Sequence, residues 1–174
     1  MTDEQFWSII HDSRTAFDPS HRDGNMHKQK ERLAMLLSSL TLDDIVGFDT
    51  LFQEKKKELY RWDLWAAAYI FDGGCSDDGF SDFREWLISM GEEVYTRALK
   101  DVNSLIGVMD RDDVEYPSFE GFWHVPTVVY EKKTGKKMPY ILSPTRLGEP
   151  VGQDWTEKDL PLRFPELWAQ YGSR

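Results

Sequence analysis

The sequence predicts an all-α fold, a single orthogonal helical domain of about seven to nine helices around a buried central helix at residues 62–71. The first observation is the run WDLWAAAYIF, which has one charged residue and neither glycine nor proline. The second is the recurrence of apolar residues at helical spacing on both sides of this run. The third is a series of helix-start and helix-stop signals that divide the chain into short segments.

The run at residues 62–71 is long enough for a helix and too apolar for a helix at the surface. Three consecutive alanines, Ala66 to Ala68, are the strongest helix formers and let neighbouring backbones approach closely. A helix that is apolar on nearly every side must be buried on nearly every side, so we expect the other helices to pack around it. We expect it to end at Asp72-Gly73-Gly74, because glycine can adopt the positive φ that closes a helix.

Three more helices are expected before the central one. Apolar residues recur at helical spacing in each of them, and threonines that can cap a helix precede the first and the third. The predicted segments are residues 3–14, residues 26–40, and a third segment that runs from Thr41 toward Tyr60. A break or bend is expected at Arg61-Trp62, between the third helix and the central one.

Two helices are expected directly after the central one. Ser76 and the aspartates that follow it are candidate N-caps, because their side-chain oxygens can accept the free amide hydrogens of a first turn. The helix that they begin has an apolar stripe from Phe80 to Met90 and is expected to end at Gly91. Glu92-Glu93 then favours the start of the next helix, since the helix dipole favours negative charge there.

The C-terminal part of the chain is rich in proline and glycine. Pro126 stands inside an apolar helical pattern, so either a helix begins with this proline in its first turn or a longer helix is kinked. From Lys136 to Asp154, prolines and glycines predict an irregular C-terminal wrap laid over the body of the protein. Pro165 is expected to open a last short helix. No domain boundary is evident, so residues 1–174 are predicted to form one domain.

Composition and charge argue against several classes of function. The net charge of −10 argues against a nucleic-acid partner, because such proteins present basic faces to phosphates. No run approaches the roughly 18 apolar residues of a membrane-spanning helix, and the acidic N-terminus lacks the features of a signal peptide. The single cysteine cannot form an internal disulfide, which fits a reducing compartment. We therefore expect a cytoplasmic protein with no membrane partner.

The segment from Asp72 to Asp78, called here the acidic turn, places carboxylates beside glycines. As part of a calcium loop it would place Ser76, Asp78, Asp82 and Glu85 at the third, fifth, ninth and twelfth positions. The first position of such a loop, however, would be Gly74, which has no side-chain ligand, and the predicted helix begins too early. Capping of a helix explains the turn better, so no metal and no cofactor are expected.

A second interpretation joins the acidic turn and the central helix into a polar pocket with aromatic walls, the usual construction of a small-ligand site. The candidate ligand-binding residues are Trp62, Asp63, Asp77, Asp78 and Arg84. The alternative is that Asp63 pairs with Arg61 or Arg84, since a carboxylate on a largely buried helix needs a partner. In that alternative the tryptophans belong to the core.

Catalytic chemistry has little support in the sequence. Asp77 and Asp78 could act as general acid and base, but adjacent side chains point in different directions and no nucleophile motif accompanies them. The four histidines lack the spacing of a zinc motif. Cys75 flanks a helix start, where a thiolate is favoured, but an inert buried thiol is the simpler interpretation without a base beside it. No catalytic residue is assigned.

Four segments of the chain are distinctive. They are DEQFWSII near the N-terminus, YRWDLWAAAY followed by GGCSDDGFSDFREWLISMG in the centre, VYEKKTGKKMP, and DLPLRFPELW near the C-terminus. Together they resemble the bacterial family known as domain of unknown function 4240, over almost the whole chain. The resemblance implies a cytoplasmic bacterial protein, and the same domain is also attached to WGR-type domains in proteins labelled molybdate-metabolism regulators. It supports a helical fold and provides no activity or catalytic residue to transfer.

The sequence therefore favours a non-enzymatic binding or regulatory domain with a protein or small-molecule partner. The acidic turn and the tryptophans around it are its best candidate surface. The alternative is a small hydrolase or nucleotide-handling enzyme that uses the acidic turn and Arg84. A third hypothesis is an interaction module that is stable only as an oligomer.

Overall fold

The structure is a computed structural model that describes residues 1–18, 20–139 and 148–172. These ranges form an all-α fold with nine α-helices and two short 3₁₀ helices, as predicted. The α-helices are α1 (Asp3–Arg14), α2 (Asn25–Ser38), α3 (Leu42–Glu58), α4 (Trp62–Asp72), α5 (Asp77–Ser89), α6 (Glu92–Lys100), α7 (Val125–Thr134), α8 (Leu160–Arg163) and α9 (Pro165–Tyr171). The 3₁₀ helices are Val102–Leu105 and Glu157–Asp159. In the described part of the chain, no helix is both long and apolar enough to cross a membrane.

Side-chain caps fix the starts of several helices, as predicted. At α1 the Gln5 backbone N–H donates to Thr2 Oγ1 over 3.2 Å, and the Thr2 N–H donates to Gln5 Oε1 over 2.8 Å. The hydroxyl of Thr41 caps α3, and the hydroxyl of Ser76 caps α5. Each cap supplies an acceptor to an amide of the first turn that has no partner inside the helix.

The chain breaks between α3 and α4, as predicted, because Arg61 is extended there with φ −138° and ψ 143°. Two backbone hydrogen bonds to the C-terminal segment hold this break. The Trp62 N–H donates to the Val151 carbonyl over 3.0 Å, and the Val151 N–H donates to the Tyr60 carbonyl over 2.9 Å. At its other end α4 stops at Gly73, whose φ of 68° confirms the predicted glycine stop.

Two helices, α4 and α5, share the centre of the fold. Six of the ten residues predicted to be buried at 62–71 are buried, namely Leu64, Ala66, Ala67, Ala68, Ile70 and Phe71. The other four, Trp62, Asp63, Trp65 and Tyr69, are partly exposed. Helix α5 packs against α1, α3, α4 and α6 and is buried without interruption from Phe83 to Ser89. Its apolar stripe was evident in the sequence, but Arg84, Glu85 and Ser89 are buried beside that stripe because each has hydrogen-bond partners inside the protein.

The described C-terminal residues, 148–172, pack across α4. The Trp155 ring N–H donates to the Trp62 carbonyl over 2.7 Å, and the Tyr171 ring meets Phe71 edge to face with centroids 4.9 Å apart. Of the irregular wrap predicted at residues 136–154, the structure describes residues 136–139 and 148–154, which contain no helix, and residues 140–147 lie outside the described ranges. Pro126 lies in the first turn of α7 and Pro165 opens α9, so both prolines begin helices instead of breaking them.

Leu167 and Leu162 test whether the C-terminal residues belong to the same folding unit as the rest of the chain. Leu167 is fully buried, whereas Leu162 is 84% exposed. We expect Leu167→Ala to lower the free energy of unfolding by about 2–5 kcal/mol through lost contacts and a cavity. Leu162→Ala, the control, should change it by less than about 0.5 kcal/mol. Urea unfolding followed by circular dichroism measures both, and a separate transition for the C-terminal residues would contradict the predicted single domain.

Candidate functional site

A cleft of about 730 Å³ opens between α2, α5, α7 and the turn that precedes α7. Helices α2, α5 and α7 and the turn before α7 each contribute residues to its lining. The described residues that line the cleft are His27, Lys30, Glu31, Ala34, Asp78, Ser81, Asp82, Glu85, Glu120, Gly121, Trp123, His124, Val125 and Val128. They combine carboxylates with one lysine, two histidines, a tryptophan and small apolar side chains. Binding sites for small molecules and peptides commonly mix apolar and polar groups in this way.

Helix α5 supplies the acidic wall of the cleft. Asp78, Asp82 and Glu85 recur at helical spacing and therefore lie on one face of this helix. Their position follows from the Ser76 cap, which fixes the first turn of α5. The Phe119 N–H donates to the Asp82 carbonyl over 3.1 Å, which holds the turn before α7 against the acidic wall.

Glu85 lies at the buried end of this acidic wall and is 0% exposed. Its carboxylate accepts a hydrogen bond from the Lys56 ammonium of α3 and another from the Trp123 backbone N–H, the latter over 3.1 Å. Burial raises the pKa of Glu85, and the Lys56 charge opposes that rise. Burial also lowers the pKa of Lys56, and the Glu85 charge opposes that change. Each charge is therefore tolerated in the interior because the other one is present.

Three carboxylates nearer the opening, those of Asp78, Asp82 and Glu120, have no ion-pair partner in the described part of the chain. Burial raises the pKa of Asp82, and the negative charges of Glu120 and Asp78 raise it further while Lys56 opposes them. Like charges thus meet at this side of the cleft. The opening of the cleft is electrostatically suited to a cation.

Apolar groups also line the cleft. Val128 of α7 is 51% exposed and Trp123 is 39% exposed, although both are large apolar side chains. Ala34 of α2 and Val125 of α7 lie on the same lining. The Lys56 ammonium lies 5.9 Å from the centre of the Trp123 ring, within the range of a cation–π contact.

The predicted site residues on α4 contact other groups. The Trp62 ring stacks on Trp65, with centroids 5.4 Å apart and an interplanar angle of 11°, and meets the edge of Trp155. Asp63 accepts two hydrogen bonds from the Arg61 guanidinium, over 3.0 and 2.8 Å. The sequence left either Arg61 or Arg84 as the partner of Asp63, and in the structure the partner is Arg61.

Arg84 is also engaged inside the protein. Its side chain donates to the backbone carbonyls of Lys56 and Phe80, over 3.1 and 3.3 Å, and its guanidinium lies 4.9 Å from the centres of the Tyr60 and Phe80 rings. Burial lowers the pKa of this arginine to about 10. The residue is 5% exposed, so little of it is available to a ligand.

Of the five predicted site residues, Asp78 lies on the lining of the cleft. Asp77 is exposed in the first turn of α5, while Trp62, Asp63 and Arg84 make the contacts described above. The structure therefore brings Asp78 together with Asp82, Glu85 and Glu120 instead of with the tryptophans of α4. Among the described residues, no group of three or more His, Cys, Asp or Glu side chains is placed to hold a metal ion.

Trp123, Val128 and Glu120 were not identified from the sequence. One signal was available for Val128, because it lies off the buried face of α7 that Val125 and Val129 form. An apolar residue on the exposed face of a helix is a signal for binding only when other apolar residues adjoin it in space. The sequence could not show that adjacency, since the cleft joins helices far apart along the chain.

Comparison with protein families gives one match. The family model described as "Protein of unknown function (DUF4240)" matches residues 1–132, a range that contains every residue named above as lining the cleft. No curated protein and no solved structure matches the chain. The segment DLPLRFPELW and most of VYEKKTGKKMP lie beyond the matched residues, so their likeness to the family stays a prediction.

Lys56→Met tests the buried ion pair. The substitution would leave the Glu85 carboxylate without its counter-charge, and we expect it to lower the free energy of unfolding by about 3–5 kcal/mol at neutral pH. Since burial raises the pKa of Glu85 above its ordinary value of 4.5, the folded state binds this proton more tightly than the unfolded state does. The stability that protonated Glu85 contributes is fully present below pH 4.5 and is lost as the pH rises through the higher pKa of the folded state. More stability is lost when Lys56 is absent, because the charged carboxylate then has no counter-charge.

The cost of Lys56→Met should therefore grow as the pH rises from 4.5 toward neutrality. Urea unfolding at several pH values measures this cost. Lys57→Met is the control, because Lys57 is the neighbouring lysine and is exposed. A cost that is absent, or that does not vary with pH, would contradict the described pair.

The rate at which Cys75 reacts with a thiol reagent tests whether its thiol is inert. Burial, and then the negative charge of Asp72, raises the pKa of the Cys75 thiol to about 11. We expect a disulfide reagent such as dithionitrobenzoate to react with the folded protein about tenfold more slowly, or slower still, than with the urea-unfolded chain. Absorbance reports the rate without ambiguity because the chain has one cysteine. Equal rates in the two states would contradict the inert thiol, and a faster rate in the folded protein would restore the hypothesis of a reactive thiol.

Proposed function

Since the chain belongs to the family described as protein of unknown function (DUF4240), which has no activity attached to it, we propose its function from the geometry of the cleft. The proposed function is that of a non-enzymatic binding or regulatory domain whose binding surface is the cleft between α2, α5 and α7. We further propose that it acts in the cytoplasm, as its composition and single cysteine suggest.

The main support is the coexistence of exposed apolar groups and unpaired carboxylates at one opening. Val128 and Trp123 remain in contact with water there, at a free-energy cost that a ligand would remove. Contiguous exposed apolar groups rimmed by polar ones commonly mark interaction surfaces. The volume of about 730 Å³ is within the range of clefts that hold small molecules or side chains of a partner.

The acidic turn contributes to this proposed surface through Asp78, the candidate site residue that lines the cleft. For Trp62, Asp63, Asp77 and Arg84, binding of a ligand stays a prediction. Their contacts support a structural role, since Trp62 and Arg84 are stacked on other rings and Asp63 is paired with Arg61.

The enzyme hypothesis receives less support from the geometry. A nucleotide-handling site would need Arg84 to face an anionic substrate. Its guanidinium instead donates to two backbone carbonyls and lies 4.9 Å from the centres of the Tyr60 and Phe80 rings. Asp77 and Asp78 occupy the first turn of α5, and Ser76 caps that turn. We therefore place the binding hypothesis first.

A cleft-filling substitution tests the proposal. Val128→Trp puts a larger side chain at an exposed position of the lining, whereas Leu162→Trp makes a similar change at a position that is 84% exposed and outside the lining. Both variants and the wild-type protein are screened by thermal shift against amines, amino acids, nucleotides and short peptides of either charge. A compound at about 100 times its Kd stabilises its target by roughly 2.7 kcal/mol, which displaces the Tm measurably.

We expect at least one compound class to stabilise the wild-type protein and the Leu162→Trp variant and to have no effect on Val128→Trp. Isothermal titration of that compound then gives the Kd for each protein. Stabilisation that survives Val128→Trp would place binding elsewhere and would reject the cleft. The absence of stabilisation throughout the screen would also count against a binding function of this cleft.

A further inference from the structure

We propose that the cleft takes a basic segment of a partner protein, an inference that rests on the binding function proposed above. In this arrangement a lysine or arginine of the segment lies among Asp78, Asp82 and Glu120, and a neighbouring apolar side chain of the segment covers Trp123 and Val128. The apolar groove supplies the contact area, and charge complementarity identifies the occupant.

The charge of the cleft favours a cationic occupant. Within the described ranges, the carboxylates of Asp78, Asp82 and Glu120 have no cation within 4.0 Å, whereas Glu85 is paired with Lys56. Lys30, the lysine on the lining, donates to the backbone carbonyl of Glu120 over 3.3 Å and not to its carboxylate. A bound cation would therefore relieve the repulsion among three carboxylates without competing with an ion pair that already exists.

The apolar side of the cleft favours an occupant larger than a simple amine. Trp123 and Val128 are both more than one-third exposed, at 39% and 51%. A small amine could reach the carboxylates, but it would leave these two side chains in water. A peptide presents a charged and an apolar side chain together, so it can contact the carboxylates and the exposed apolar side chains of the cleft at the same time. Tryptophan at such a position is a frequent anchor of protein interfaces.

The charge of the whole chain supports the same occupant. With a net charge of −10 at neutral pH, the protein attracts basic partners over a distance and repels acidic ones. Such steering acts on any cation, so it does not distinguish the cleft from the rest of the surface. An experiment must therefore separate recognition in the cleft from general attraction.

The probe is a short fluorescein-labelled amphipathic peptide of leucine and lysine, titrated with the 174-residue protein and followed by fluorescence anisotropy. Two further peptides replace all lysines by glutamate or all leucines by serine. The cleft variant combines Asp78→Asn, Asp82→Asn and Glu120→Gln. The control variant removes the same number of charges from exposed positions outside the lining by combining Glu54→Gln, Asp112→Asn and Glu157→Gln.

We expect the leucine–lysine peptide to bind the wild-type and control proteins with similar Kd values. The cleft variant and Val128→Trp should each bind this peptide at least about tenfold more weakly. The cleft variant lacks the three carboxylates that attract lysine, and the larger side chain of Val128→Trp fills the cleft. Thermal melting of every variant verifies that it is folded, and the single substitution Glu120→Gln, outside all helices, repeats the test with less risk to the fold. The glutamate and serine peptides should bind no variant appreciably.

Three results would overturn the inference. One is equal weakening by the control variant, which would show general attraction alone; another is equal binding of the leucine–lysine and glutamate peptides. The third is spermidine binding as tightly as the peptide, which would make the ligand a small amine.

Failure of this inference can be told apart from failure of the proposed function. If the peptide does not bind, but a compound from the thermal-shift screen binds the wild-type protein and not Val128→Trp, the cleft still binds a ligand and only the basic segment is rejected. If both fail, the proposed function fails as well.

Discussion

The contact on which the centre of the structure depends is the double attachment of Lys56 to α5. The Lys56 ammonium binds the Glu85 carboxylate. The Lys56 carbonyl accepts a hydrogen bond from the side chain of Arg84, which precedes Glu85 in the chain. One residue of α3 thus satisfies two adjacent buried charges of α5, which could not be buried without such partners. Because Glu85 also accepts from the Trp123 N–H, the same contact fixes the turn that forms the cleft.

Most of the fold could be predicted because its signals are local. Thr2 and Ser76 cap helices through neighbours three residues away, and Gly73 stops α4 by adopting a positive φ, so short stretches of sequence contain the cause. The central position of α5 could not be predicted in this way. Its buried Arg84 and Glu85 look like surface residues until the partners on α3 are known, and those partners are about 28 residues away.

Less of the candidate site could be predicted, for a related physical reason. A cleft exists where elements distant in sequence fail to fill the space between them, and neither periodicity nor capping describes such a space. Asp78 was identified because the acidic turn is conspicuous, although its neighbours in the cleft come from α2, α7 and the turn before α7. Trp62 and Arg84 were grouped with it by proximity in the chain, but stacking and backbone hydrogen bonds hold them in other surroundings.

The backbone bridge between Val151 and the break before α4 has a consequence during protein synthesis. Residues leave the ribosome in order at about 5–20 per second, so Val151 follows Trp62 by on the order of ten seconds. During that interval the start of α4 lacks the partners that later bind its backbone and cover the Trp62 ring. Until Val151 and Trp155 are synthesised, the Trp62 N–H lacks its acceptor and the Trp62 ring lacks its edge contact.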